Sequence, residues 1–444
     1  MLSTDSRCGG ELKELHGLNQ LRENLRIKNM RHGKGAELEY EAINLKEKQH
    51  LKGLALEWIA REVDVGYDEK SIEALEPTQN LKSLELNSYW GVIYPSWLSS
   101  LKNLVHLKLM SMKKCQHVPP LHQFPSLKTL RLCDFPSLEY ISDSVNLPPL
   151  EYLLIRDCPN LKGWWERKDS IVEDEDGDND YVFLPSFTHL SSLRIFYCPK
   201  LSSMPLFPYL EELILEKSNL RPLKRTISMG MISMASQENP TTAAVAESTS
   251  SARSYSSSTL AASFTPLSKF KSLHIDMIEG SDGHVLQSIQ HLTALEYLEL
   301  SNYNGDGMEL ECQGLRKLQY LTLSDHPKLA SLPVGLQQAT SLRNLDISNC
   351  PSLMTLPEWI CEIISLQSLD ISNCPTLTSL PALTSLKTLE IRSCPILVES
   401  CKNQDWVARI ENLEGDLAPP KEEDPGIEFH YAKQNYSYSP SLLV

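Results

Sequence analysis

NLKSLEL (80–86) is followed by NLVHLKL (103–109), SLKTLRL (126–132) and PLEYLLI (149–155), four stretches 23 residues apart with Leu or Ile at the same three places. Leu81, Leu84 and Leu86 become Leu104, Leu107 and Leu109, then Leu127, Leu130 and Leu132, then Leu150, Leu153 and Ile155. Repeats of this length mean a stacked array. The last two apolar residues of each unit are two apart, so both point to one face of a short strand. The first closes the turn before it. Burying each such side chain contributes about 1.5–3 kcal/mol as an upper value. One coil cannot hide that face alone, whereas stacked coils can.

Outward from this block the pattern continues. Units begin at Leu51, Leu190, Leu210, Phe270, Leu295, Leu318, Leu342, Leu366 and Leu386, with a degenerate one near Leu18. The expected fold is an α/β repeat: a leucine-rich-repeat horseshoe of about fourteen irregular coils, with parallel strands on its concave face. A second signature follows several strands. Cys158, Cys198, Cys350, Cys374 and Cys394 each stand three residues past the last strand apolar residue, and each is followed by Pro. Phe135 and His326 hold the same place elsewhere. A small thiol suits an inward turn position, and Pro forbids the strand from continuing. Leu-Pro closes a later turn at Leu332-Pro333, Leu356-Pro357 and Leu380-Pro381.

Two interruptions divide the array. N-terminal repeats occupy 1–165, an acidic insertion 166–185, further repeats 186–225, a Ser-rich insertion 226–268, and C-terminal repeats with a cap 269–412. Residues 413–444 read as an acidic, Pro-containing flexible tail. The Ser-rich stretch lacks periodicity and is expected to be disordered; its composition also suits phosphorylation, but a solvated spacer is the simpler reading. Near the end, Asp405-Trp406-Val407 with Ile410 has the look of a cap, which an open stack needs.

The net charge of −15 is concentrated. Glu166–Asp180 and Glu411–Glu428 each carry −6, which leaves −3 for the remainder. No basic stripe marks a nucleic-acid binder. No apolar run reaches the length of a membrane span. The eleven cysteines include no Cys-x-x-Cys, and no basic-then-apolar leader stands at the start, so a reducing compartment is expected: the cytoplasm, or the nucleus.

Catalytic and metal motifs fail on inspection. The alternating Asp174, Asp176, Asp178 and Asp180 tempt a calcium-loop reading, but neither frame supplies the required Gly and Glu. A solvated charged loop fits better. The Cys-Pro cysteines stand one per coil, with neighbouring strands about 4.8 Å apart, which suits a structural ladder better than convergence on one zinc ion. Gly33-Lys34-Gly35 lacks the spacing of a phosphate loop. No cofactor is expected, and no enzyme.

The outward positions remain. Between the paired strand leucines stand Glu85, Lys108, Arg131, Leu154, Arg194, Ile214, His274, Glu299, Thr322, Asp346, Asp370 and Glu390. That row turns from basic (Lys108, Arg131, Arg194) to acidic (Glu299, Asp346, Asp370, Glu390). Tyr152, Phe196, Tyr197, Tyr297 and Tyr320 are expected at other outward positions, and aromatics enrich at interfaces. Exposed strand positions must in any case be polar, and charge asymmetry is cheap. The sharper reading is two protein-contact regions of opposite sign. Trp164-Trp165 and Tyr89-Trp90 are expected to pack on the convex turns.

The irregular 23–24-residue coils, the L-x-I-x-x-C-P-x-L-x-x-L-P pattern and the closing Asp405-Trp406 resemble the repeat domain of plant coiled-coil nucleotide-binding leucine-rich-repeat disease-resistance proteins. Gly10–Met30 followed by Ala42–Trp58 is similar to their early repeats. The resemblance implies an intracellular immune-receptor module that recognises pathogen effectors or guarded host proteins and restrains a nucleotide-binding domain, in cis in a longer gene product or in trans. No phosphate-binding loop is present here, so nucleotide binding is not carried over. The alternative is an adaptor or scaffold, such as a ubiquitin-ligase substrate receptor; that would need a helical adaptor-binding segment before the first coil, and none is read there.

Overall fold

The computed structural model describes residues 2–3, 12–31, 36–59, 65–142, 144, 146–166, 185–235, 267–277, 284–305, 308–402 and 404–418. Sixteen strands form one sheet in chain order, from Leu2–Ser3 to Asn412–Gly415. Every pairing is parallel, and from the strand Leu51–Trp58 onward the register is unbroken. The repeat spacing dictates this. Leu84, Leu107, Leu130 and Leu153 are Cα partners in sequence, as are Leu321, Leu345, Leu369 and Leu389. All of them are at most 1% exposed and belong to one continuous core that runs the length of the stack.

The turn out of each strand is a recurring device. In twelve coils the second residue past the last core residue is left-handed, with φ between 47° and 61°. Ser, Asp and Asn dominate these positions, from Ser88 to Asn373 and Ser393, because a short polar side chain tolerates that conformation. The residue after it turns inward. At the Cys-Pro positions all five cysteines are buried, and each thiol donates to the carbonyl two residues earlier, at 3.2–3.4 Å. Ser218 makes the same bond to Glu216 at 2.9 Å. The ladder thiol is therefore a turn-closing donor as well as a small filler.

The far side of the stack is made of short 3₁₀ turns. Pro95, Pro120, Pro333 and Pro357 open four of them, where a fixed φ suits a helix start; this accounts for Leu332-Pro333 and Leu356-Pro357, whereas Pro381 opens none. Two three-residue strands, Tyr140–Ser142 and Gly163–Trp165, pair on their own. Trp164 and Tyr89 are both fully buried, while Trp165 packs partly against the core.

Two segment boundaries shift. The Ser-rich insertion expected from 226 begins later, because a helix spans Arg221–Ala235 and buries Thr226 and Ile227. The flexible tail expected from 413 also begins later: Asn412–Gly415 is the last strand of the sheet, and Asp416 accepts the Ser393 N–H at 2.8 Å. The acidic run 167–184, the remainder of the Ser-rich stretch (236–266) and residues 419–444 lie outside the described residues.

Candidate functional site

The sheet's outward side chains form rows because the strands are in register. Glu85, Lys108, Arg131, Leu154, Arg194, Ile214, His274, Glu299, Thr322, Asp346, Asp370 and Glu390 are successive Cα partners, one per strand. All are half-buried except Arg131, which is exposed. Tyr152, Tyr297 and Tyr320 belong to the row two residues before it. Tyr197 does not: it is the left-handed turn residue after its strand, 47% exposed. Phe196, expected outward, is only 9% exposed and lies under the Arg156 guanidinium at 4.4 Å.

Contacts within the row and to its neighbours change the charge balance. Glu85 accepts from Arg26 at 3.0 Å and from Lys108 at 3.2 Å. Arg194 bonds both oxygens of Glu212, at 3.0 and 3.3 Å. Two of the three basic row residues are thus compensated. Arg131 instead lies over the Tyr152 ring, 5.1 Å from its centroid, with Arg194 5.9 Å from the same centroid.

At the other end the carboxylates crowd. Glu299 pairs with His274 at 2.7 Å and accepts the Tyr297 hydroxyl at 2.9 Å. Burial pushes Glu299 up, yet the His274 contact outweighs it and holds the carboxyl below its ordinary value. Burial, then the Glu299 charge, pushes the Tyr297 hydroxyl up to about 12. Asp346 is raised by burial and by Glu299 and Glu390. Asp370 goes furthest, pushed up to about 7 by burial and by the flanking Asp346 and Glu390 charges. Its Oδ1 is buried without a hydrogen-bond partner. Arg392 reaches Asp370 at 4.0 Å and also contacts Glu390. One cation against three carboxylates leaves this stretch net acidic.

Reading only the residues between paired leucines overlooks Arg26, Arg156, Glu212 and Arg392. Arg26 continues the same row two strands before Glu85, and the other three lie in neighbouring rows, two residues before or after a row position. A search with period two along each strand would have found those three. A second concavity of about 970 Å³ opens among the turns, with Val92, Ile93, Val118, Pro120, Ile141 and Glu166 in its lining. Among the described residues, no group of His, Cys, Asp or Glu is placed to hold a metal ion, and no helix is long and apolar enough to cross a membrane.

The surface so built is a long, mostly polar sheet face with no convergent catalytic group among the described residues. Comparison with known proteins agrees with its repeat character. The family of R13L1/DRL21 leucine-rich repeats matches residues 12–135, and a leucine-rich repeat region matches 251–415. RGA1 of Solanum bulbocastanum, named for disease resistance, is 38% identical over 128 residues, 27% of this chain and 13% of the relative. Disease resistance protein RGA2 of the same plant is 29% identical over 237 residues, 48% of this chain and 24% of the relative. These matches span a quarter or less of the relatives' own length. Among solved structures, a leucine-rich-repeat protein of Leptospira interrogans covers 89% of this chain and 90% of its own, at 19% identity and a TM-score of 0.41.

Proposed function

Because this chain is a leucine-rich-repeat protein whose repeats are those of plant disease-resistance proteins, we propose that it is a protein-recognition module of plant innate immunity. Its work is binding, without turnover. The concave face reads protein surfaces through two regions. Lys108, Arg131, Tyr152, Arg194 and Tyr197 make the N-terminal region, which contacts a nucleotide-binding domain, in cis in a longer gene product or in trans. Tyr297, Glu299, Tyr320, Asp346, Asp370 and Glu390 make the C-terminal region, which meets a pathogen effector or a guarded host protein. The compartment is the cytoplasm or nucleus.

The observation that carries this reading is the single in-register row of mostly polar side chains on one parallel sheet. Such a surface gives contact area and charge pattern, which set specificity and encounter rate. The test is a pair of double variants. Lys108→Glu with Arg131→Glu should weaken pull-down of the nucleotide-binding domain by about tenfold or more. Asp346→Lys with Asp370→Lys should alter effector-triggered cell death and leave that pull-down intact. If both variants behave as wild type in both assays, the concave face is not the recognition surface.

A further inference from the structure

Arg131 and Arg156 stand apart from the other cations of the sheet. Both are exposed, and among the described residues neither has a carboxylate partner. Their neighbours Lys108 and Arg194 are paired to Glu85 and Glu212. Each of the two guanidiniums instead lies over an aromatic ring, Tyr152 at 5.1 Å and Phe196 at 4.4 Å. Stacking uses the face of a guanidinium and leaves its N–H edges open. It also restrains a side chain that would otherwise lose freedom on binding. Cys133, buried on the strand of Arg131 and in register with Arg156, feels both: burial raises its thiol, while Arg156, Lys108 and Arg131 draw it back down.

We propose that the middle of the concave sheet is a docking site for an extended acidic peptide of a partner protein, gripped by Arg131 and Arg156. The proposal rests on the recognition reading above and names the chemistry of one partner. Arg131 is in register with Leu154, and Arg156 lies two residues further on that same strand. One strand spacing and two residue rises put the two backbones roughly 8 Å apart. Carboxylates at alternate residues of an extended peptide are about 6.7 Å apart, within reach of two long side chains. Each guanidinium edge can then take one carboxylate in a two-point contact. Half-buried Leu154, Ile214 and Met110 supply apolar surface among the arginines, a combination typical of strong contact points. A nucleic acid fits less well. Of the described Lys and Arg residues on the sheet's strands only these two lack a carboxylate partner, so a long polyanion gains little.

Fluorescence anisotropy of the full chain with a labelled peptide of alternating Glu and Val tests this. Wild type should bind it, and added salt should weaken binding. Arg131→Glu with Arg156→Glu should weaken it by about tenfold or more. Arg131→Lys with Arg156→Lys should weaken it severalfold, because an ammonium cannot make the two-point contact. Lys102→Glu, on the turn side, should change nothing. Matched thermal melts show that the variants fold. The proposal is overturned if the peptide binds no better than one of alternating Lys and Val. It also fails if the charge reversals leave binding unchanged, or if an oligouridylate of equal length binds more tightly. A failed peptide assay alongside a positive response from the Asp346/Asp370 variant would remove this site and leave the recognition reading standing.

Discussion

His326 occupies the turn position that cysteine fills in the Cys-Pro coils, and it is fully buried. Its Nδ1 accepts the Tyr303 N–H at 3.1 Å, so Nε2 carries the proton and donates to the Leu300 carbonyl at 3.0 Å. The ring is a neutral cross-brace between coils. Burial holds its pKa below the ordinary histidine value, against the pull of its backbone bonds. The sign follows. As pH falls below about 6.5 the unfolded chain takes up the proton first, so stability is lost in that window and retained above it. His326→Cys should remove this dependence. Melting temperatures of wild type and variant, followed from neutral to acidic pH, should diverge below about 6.5; parallel curves would count against the brace. The sequence marks His326 as a turn residue through its following Pro. It cannot show the brace, because the bonded groups lie 23 and 26 residues away.

The element that repeats most faithfully is the left-handed turn after each strand. Asn373 (φ 52°) donates to Asn349, and Asn349 donates to Asp325 at 3.0 Å, so the side chains at this place link three coils. Replacing Asn373 by Val would force a β-branched residue into that conformation and cut the link. The expected loss is about 2 kcal/mol from strain and a hydrogen bond together. Asn373→Gly keeps the backbone and loses only the link, so its denaturation midpoint should lie nearer to wild type; equal midpoints for the two variants would refute the conformational argument. Strand positions were legible because hydrophobic period two is unambiguous when it recurs every coil. The helix Arg221–Ala235 was less so. Leu223 and Ile227 bury one face of it, but the change to Ser- and Thr-rich composition begins inside the helix and hides its end.

Over the whole molecule, each coil touches chiefly its neighbours, so stability is close to a sum along one axis. Leu345 lies in the C-terminal block at 1% exposure. Leu345→Asp buries a carboxylate without a partner and should cost several kcal/mol. Hydrogen exchange should then lose protection in the coils around 308–402 before those around 81–156. Uniform loss would mean that the stack melts as one body, and an unchanged profile would mean that the register is wrong. The rows of the concave face were legible at this scale, because register follows from equal repeats. Their net charge was not: Glu85 against Lys108 and Glu212 against Arg194 are contacts between adjacent strands, made by side chains 23 and 18 residues apart.

In-register alternation also has a consequence for heredity. The residues that hold a coil together and those that face outward are different residues of the same strand, as Leu345 and Asp346 illustrate. A codon change at an outward position alters what the sheet presents without touching the core. Duplication of a whole coil lengthens every row by one place and shifts none of the others. A gene of this design can therefore accumulate variants rapidly at its reading positions while purifying selection falls on the intervening ones.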